Sequence, residues 1–211
     1  MTTTREKTFL LAHPEARLLG WIAARMPRRV MPDHLTALGV LAAAGIAGAY
    51  ALTNRDPVWL WAASGLLVVH WLGDSLDGTL ARVRRTERPT YGYYLDHLVD
   101  AVATALIGIG LGLSPYLSLA AGMTLVIAYL VLSINTYLET QALGVFRLGY
   151  GRLGPTEARL GLIAVNTALV LGAPHGLLNA LVLAVAALMG LGLAVRAAQT
   201  LKRLAVREPA V

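Results

Sequence analysis

The chain has 211 residues, of which 56% are hydrophobic and only 14% are charged, and its mean hydropathy is +0.61. A soluble domain carries about 25% charged residues, so this composition excludes an ordinary soluble protein. The net charge of +6 suits anionic lipid headgroups and phosphorylated substrates; no nucleic-acid motif accompanies it, so no nucleic-acid partner is expected. The absence of cysteine excludes disulfides and thiolate metal sites.

The first predicted element is an amphipathic helix within an N-terminal cytoplasmic or interfacial segment, residues 1–34. Polar residues interrupt its first apolar block, so it is not a signal peptide. Such a helix is expected to lie on the cytoplasmic leaflet, or alternatively to pack on the loops as a soluble helix. Its apolar face consists of Leu18, Leu19, Ile22 and Met26.

Six long apolar blocks follow, and most approach the roughly 20 residues that cross a bilayer. We therefore predict an all-α integral membrane protein with six transmembrane helices in one catalytic domain, residues 35–197. The third and fifth blocks span only if the polar residues 91–100 and 154–159 belong to the same helices, which would give polar helix ends facing a shared cavity. The blocks are 35–53, 58–73, 101–113, 117–138, 160–173 and 177–195.

The distribution of positive charge predicts the orientation. Of the 18 Lys and Arg residues, only Arg55 falls on the opposite side from all the others. The positive-inside rule then places both termini in the cytoplasm, which an even number of spans satisfies. Residues 198–211 form a basic cytoplasmic tail.

The most informative stretch is 73–101, GDSLDGTLARVRRTERPTYGYYLDHLVDA. Helical spacing aligns its polar and small residues into two stripes, one on each side of an arginine-rich turn. The two helices are expected to be antiparallel neighbours, with four carboxylates converging near the cytoplasmic end. The first stripe is Asp74, Asp77, Gly78, Ala81 and Arg82, and the second is Gly92, Asp96 and Asp100.

Carboxylates crowded at reduced dielectric must protonate, pair with cations or bind metal. A divalent site for Mg²⁺ or Mn²⁺ would use such hard oxygen ligands, and glycines at 78 and 92 would allow close approach of a ligand. Arg82 could then meet a phosphate. Pairing with neighbouring arginines would explain one or two of the aspartates.

The alternative function is a small cation or proton transporter that uses the intramembrane aspartates. It requires polar positions that continue along the helices toward the outer side. Helix 101–113 is apolar after Asp100, however, and the helix before Gly73 offers only Ser64 and His70. The pattern therefore favours an enzyme.

The two stripes resemble the signature of the CDP-alcohol phosphotransferases (CDP-alcohol phosphatidyltransferases), membrane enzymes of phospholipid biosynthesis. The resemblance implies that a CDP-activated alcohol gives its substituted phosphate to a hydroxyl acceptor and that CMP leaves. It implies one or two Mg²⁺ or Mn²⁺ ions, and it implies a homodimer. By this resemblance the metal ligands are Asp74, Asp77, Asp96 and Asp100, the general base is Asp100, and the CDP moiety contacts Gly78, Ala81, Arg82 and Gly92.

A second similarity lies upstream, where Pro32-Asp33-His34-Leu35-Thr36 resembles a Pro-Asn-x-x-Thr segment of the family. It makes Thr36 a further candidate for binding the nucleotide. Asp33 replaces the asparagine, and its simpler interpretation is the N-cap of the first transmembrane helix.

The choice of alcohols is open. His97 and Glu157 resemble residues that handle the acceptor proton in the branch using CDP-choline or CDP-ethanolamine with a lipid acceptor. Arg85, Arg147 and Arg152 could instead bind a phosphorylated polar acceptor, or serve only topology and anionic lipids. The Ala- and Arg-rich composition indicates a bacterial inner-membrane protein, which favours CDP-diacylglycerol as donor.

A row of small residues marks one face of the third predicted span: Ala101, Ala105, Gly108 and Gly112. Small residues permit close helix packing. This face is expected to serve either packing within the chain or a dimer interface.

Overall fold

The computed structural model describes residues 11–144 and 154–207. Within these ranges the chain forms seven α-helices and no strand, which confirms the all-helical class. The helices are α1 (Ala12–Arg25), α2 (Pro32–Leu52), α3 (Trp59–Arg84), α4 (Pro89–Gly112), α5 (Leu119–Leu143), α6 (Pro155–Val170) and α7 (Leu178–Arg207).

Local sequence explains where the helices begin. Proline occupies the first turn of α2, α4 and α6, where its missing N–H costs no hydrogen bond. The interpretation of Asp33 as an N-cap is wrong. Because α2 already begins at Pro32, Asp33 lies inside the first turn, and its carboxylate pairs with Arg88 before α4.

Four helices, α2, α4, α5 and α7, are long and apolar enough to cross a membrane. The polar residues 91–100 do belong to α4 and bring it to 24 residues. Residues 155–159 likewise belong to α6, but that helix has only 16 residues. The C-terminal half of α3 carries two aspartates and two arginines, which lower its hydropathy.

Helix α2 is the centre of the fold, because α3 and α4 both pack along it. A Cβ atom added at Gly73 would lie 2.7 Å from the carbonyl oxygen of Leu35 and 2.7 Å from the backbone nitrogen of Gly39. Two turns further along α2, Gly110 of α4 approaches the backbone of Ala47 in the same way. Among the described residues, the close backbone contacts of both aspartate-bearing helices are made with α2. The two helices still meet through their side chains, because Asp74 and Asp100 line one pocket.

The small-residue face of α4 packs within the chain at two of its four positions. A Cβ atom at Gly122 of α5 would lie 2.9 Å from the carbonyl oxygen of Gly108, and one at Gly112 would meet the backbone of Leu119 at 2.9 Å. Close packing with α5 therefore explains both glycines.

Helix α1 packs on α3 and also reaches α6. Leu19 and Ala23 are buried in a cluster with residues of α2 and α3, whereas Trp21 is exposed. Glu15 accepts hydrogen bonds from Trp71 Nε1 at 2.8 Å and from Thr156 Oγ1 at 2.9 Å. One face of α1 is thus fixed to the bundle, and the opposite face is left for the surroundings.

Helix α7 has little of its surface inside the described bundle. Ala186 is its one buried residue among those described, and Leu181, Leu188 and Leu191 are exposed. Its firmest polar contact is the ion pair from Arg196 Nε to Glu139 Oε2 of α5, at 2.8 Å. Large exposed leucines on a helix of this hydropathy are typical of a lipid-facing surface.

The contact at Gly73 makes a testable prediction. Gly73→Ala would force α2 and α3 apart, because the new methyl group meets backbone atoms that no rotamer change can move. We expect a loss of about 1–3 kcal/mol of stability, seen as a lower melting temperature in detergent. Gly65→Ala on the same helix is the control, since its Cβ would meet nothing within 4 Å. Equal melting temperatures for the two variants would contradict the close approach.

Candidate active site

Asp77 of α3 is held at both carboxylate oxygens. Its Oδ2 accepts a hydrogen bond from Thr36 Oγ1 at 2.6 Å, and its Oδ1 accepts one from the Gly78 N–H at 2.5 Å. Thr36 is buried on α2, one turn before Gly39, so the α2–α3 contact places this hydroxyl. The carboxylate is therefore oriented before any ligand arrives.

Asp74 lies one turn earlier on α3 and is held from α6. Its Oδ2 accepts a hydrogen bond from Arg159 Nη2 at 2.6 Å, and both side chains are largely buried. The carboxyl of Asp100 on α4 comes within hydrogen-bonding reach of Asp74. The structure thus brings Asp74 and Asp100 together, and Arg159 supplies a neighbouring positive charge.

One pocket joins these residues between α2, α3 and α4. It is lined from α3 by Asp74, Asp77 and His70 and from α4 by Asp100, with Thr36 on the α2 wall. Gly39, Val40, Val99 and Ala103 complete the lining. The pocket therefore has acidic groups on two helices and small or apolar residues between them.

Asp96 and His97 form a second group beside this pocket. The Nδ1 atom of His97 lies 3.4 Å from Asp96 Oδ2. The imidazole stacks on Tyr137, with ring centroids 4.8 Å apart, and meets the Tyr93 ring edge-to-face at 4.2 Å. Asp96, His97 and Asp100 each offer one possible metal-ligating atom, and these three atoms lie within 4.8 Å of one another. Asp100 is the residue common to both groups.

The remaining nucleotide candidates lie toward the ends of α3 and α4. Arg82 is exposed and donates from Nη2 to Thr79 Oγ1 at 3.0 Å. A Cβ atom at Gly92 would meet nothing within 4 Å, and one at Gly78 would meet only Arg82 Nη1, at 3.4 Å. Ala81 is half-buried beside Arg82. Open space therefore adjoins both glycines.

Glu157 caps the start of α6. Its Oε2 accepts a hydrogen bond from the Gly154 N–H at 2.9 Å, and its Oε1 accepts one from the Leu11 N–H at 3.0 Å. It does not line the pocket of Asp74, Asp77 and Asp100. These contacts favour the first-turn interpretation of Glu157 over the catalytic one.

Neither Arg159 nor His70 was among the predicted site residues. Arg159 belongs to the polar stretch 154–159, which was expected to face a shared cavity, and this was the signal for it. His70 precedes Asp74 by four residues and so shares its helical stripe, which was the signal for that residue. Of the arginines considered for an acceptor, Arg85 is exposed at the end of α3. Arg147 and Arg152 lie outside the described residues.

The donor atoms fit a divalent metal ion. Asp74, Asp77 and Asp100 offer carboxylate oxygens to one pocket, and Asp96 with His97 adds further donors next to Asp100. Mg²⁺ and Mn²⁺ prefer such hard oxygen ligands. Asp74 forms an ion pair with Arg159. Asp77 instead accepts hydrogen bonds from the Thr36 hydroxyl and the Gly78 N–H, and Arg82 acts on it only from a distance among the described residues.

Two comparisons with known proteins bear on this pocket. A search of curated proteins finds no significant match. The family model described as CDP-alcohol phosphatidyltransferase matches residues 29–195, which include every helix from α2 to α6 and most of α7. The chain therefore belongs to the CDP-alcohol phosphatidyltransferase family, and so to the transferases of phospholipid biosynthesis.

Proposed function

We propose that this chain transfers a substituted phosphate group from CDP-diacylglycerol to the hydroxyl of a small polar alcohol and releases CMP. The observation that carries this proposal is the convergence of Asp74, Asp77 and Asp100 on one pocket, with Thr36 fixing one of them. A substituted phosphate bound there would face carboxylates from α3 and α4 at once. A CDP-choline or CDP-ethanolamine donor with a lipid acceptor is the other pair that the family allows.

The reaction needs one proton to leave the acceptor. Asp100 takes the proton of the acceptor hydroxyl, whose oxygen forms the new bond to phosphorus while the bond to the CMP oxygen breaks. His97, adjacent to Asp96 and near Asp100, is the second candidate for this proton. Glu157 is the third, although its carboxylate already accepts two backbone hydrogen bonds.

One or two Mg²⁺ or Mn²⁺ ions would be held by Asp74, Asp77, Asp96 and Asp100. Such an ion supplies charge neutralisation for the pyrophosphate and polarises the attacked phosphorus. The two hydrogen bonds to Asp77 keep its carboxylate in place for that role. Gly78, Ala81, Arg82 and Gly92 form the approach for the cytidine nucleotide, where Arg82 meets phosphate charge.

The membrane arrangement is part of the proposal. Helices α2 to α7 provide six spans, α1 lies at the interface, and both termini face the cytoplasm of a bacterial inner membrane. The short α6 and the charged end of α3 are tolerated because their polar residues line the site. The pocket then opens to the cytoplasm, where a lipid donor and a water-soluble acceptor meet. A homodimer remains a prediction.

The base is tested by measuring CMP release from the purified, detergent-solubilised protein with Mg²⁺ or Mn²⁺. CDP-diacylglycerol and CDP-ethanolamine are each offered with a panel of acceptors. Asp100→Asn is expected to lose at least about 100-fold in rate, because an amide cannot take the proton. Asp56→Asn makes the same chemical change in the loop before α3. Asp56 does not line the pocket, so this variant should keep the wild-type rate.

The outcomes separate the possibilities. The active donor and acceptor pair identifies the branch, and EDTA should abolish the rate if a divalent ion takes part. An unchanged rate in Asp100→Asn would transfer the base role to His97 or Glu157. If no donor and acceptor pair yields CMP, and CDP shows no metal-dependent binding, the transferase is refuted and the cation or proton transporter is favoured.

The open space at Gly92 gives a separate prediction for the nucleotide. Gly92→Ala should keep or slightly raise the melting temperature, since the methyl group meets no protein atom and alanine favours a helix by up to about 1 kcal/mol. If the CDP moiety approaches this face, the KM for the donor rises about tenfold or more. Gly65→Ala, also in a helix with open space, should have a similar small effect on the melting temperature but leave the KM unchanged. A wild-type KM in Gly92→Ala would exclude Gly92 from the donor site.

The proposed orientation can be read from engineered cysteines, because the chain has none of its own. Glu87→Cys lies between α3 and α4, and Gly176→Cys lies between α6 and α7. In right-side-out vesicles a membrane-impermeant maleimide should label Gly176→Cys at once and Glu87→Cys only after permeabilisation. The reverse pattern would place the pocket on the outer side.

A further inference from the structure

His70 is the buried polar residue of α3 whose environment the site described so far leaves unexplained. Only 4% of it is exposed, and its Nδ1 atom has no hydrogen-bond partner among the described residues. The other buried polar groups nearby are paired. Tyr50 donates to Asn166 Oδ1 at 3.1 Å, and Asn166 donates to Ser64 Oγ at 3.1 Å.

The position of His70 connects it to the acidic pocket. It lies four residues before Asp74 on the same face of α3, about 6 Å further along the helix away from the charged end. It lines the pocket together with Thr36, Asp74 and Asp100. The α2–α3 contact runs past it, since a Cβ atom at Gly39 would lie 3.8 Å from its carbonyl oxygen.

A buried polar atom without a partner lowers stability by about 1–3 kcal/mol, and native proteins contain few of them. An apolar residue of similar volume would avoid this cost, and Gly39, Val40 and Ala103 already give the pocket small or apolar lining beside its carboxylates. The imidazole is therefore placed where it weakens the fold, within the pocket that holds the carboxylates. Either a bound ligand or an ordered water can supply the missing partner.

We infer that His70 contacts the substrate, binding a hydroxyl or phosphoryl oxygen at the inner end of the pocket. This inference rests on the proposed transfer reaction and adds a residue to it. A neutral imidazole has one donor and one acceptor nitrogen, so it can bind either kind of oxygen without bringing net charge into the membrane. The oxygen belongs either to the donor or to the acceptor alcohol.

The test combines stability with kinetics. His70→Leu replaces the imidazole with an apolar side chain of similar volume. It should raise the apparent melting temperature in detergent by roughly 2–4 °C, because an unpaired polar group is removed. It should also lower kcat/KM about tenfold, because the substrate loses a hydrogen bond. A raised KM for one substrate identifies which molecule carries the oxygen, and His70→Gln, which keeps a donor and an acceptor, should recover part of the loss.

Tyr50→Phe is the matched control. It removes a buried polar group that has a partner, so the melting temperature should fall while the activity per folded molecule stays at the wild-type level. The contrast distinguishes a polar group kept for the fold from one kept for the substrate.

One result would overturn the inference while the transferase itself stands: active wild-type protein and His70→Leu share the same kcat/KM. A lower melting temperature of His70→Leu in that case would show that the ring binds an ordered water and serves the fold. A wild-type protein that neither releases CMP with any pair nor binds CDP in a metal-dependent way refutes the proposed function, and the role of His70 is refuted with it.

Discussion

The approach of α2 to α3 at Gly39 and Gly73 is the contact on which the site depends. No Cβ atom fits at Gly73, so the two backbones are in direct contact there. That distance lets the short side chain of Thr36 reach Asp77, and it brings the stripe of His70, Asp74 and Asp77 to the same pocket as Asp100. A wider crossing would separate the hydroxyl from the carboxylate it orients.

Electrostatics determines where on the helices such a pocket can exist. Carboxylates near the bilayer require compensating cations, and in the described residues Asp74 receives its compensation from Arg159 of α6. Thr36 and the Gly78 N–H give Asp77 hydrogen bonds but no positive charge. Among the described residues Asp74 has an ion pair and Asp77 has none, a difference that agrees with a site that a divalent cation would complete. The charged residues of α3 and α6 lie toward one end of each helix.

Sequence periodicity predicted the helices and the membership of the polar residues in α4 and α6, because helical spacing is a local property. The family was predicted from the eight positions of the two stripes, and the match of the family model to residues 29–195 confirms it. The contacts between helices could not be predicted from local spacing. Nothing local indicates that Gly73 and Gly110 draw α3 and α4 onto α2, that Arg159 reaches Asp74, or that Asp33 meets Arg88. Each depends on which helix faces lie together.

The central place of α2 has a consequence for the order in which the protein is made. The chain is synthesised from the N-terminus, and each helix can pack only on those already in the membrane. The partners α2, α3 and α4 are consecutive, so the walls of the pocket can assemble from contacts that are near in sequence. Arg159 follows only after α5. All the residues that line the acidic pocket are therefore synthesised before the guanidinium that pairs with Asp74, and until then a proton, water or a bound cation must compensate that carboxylate.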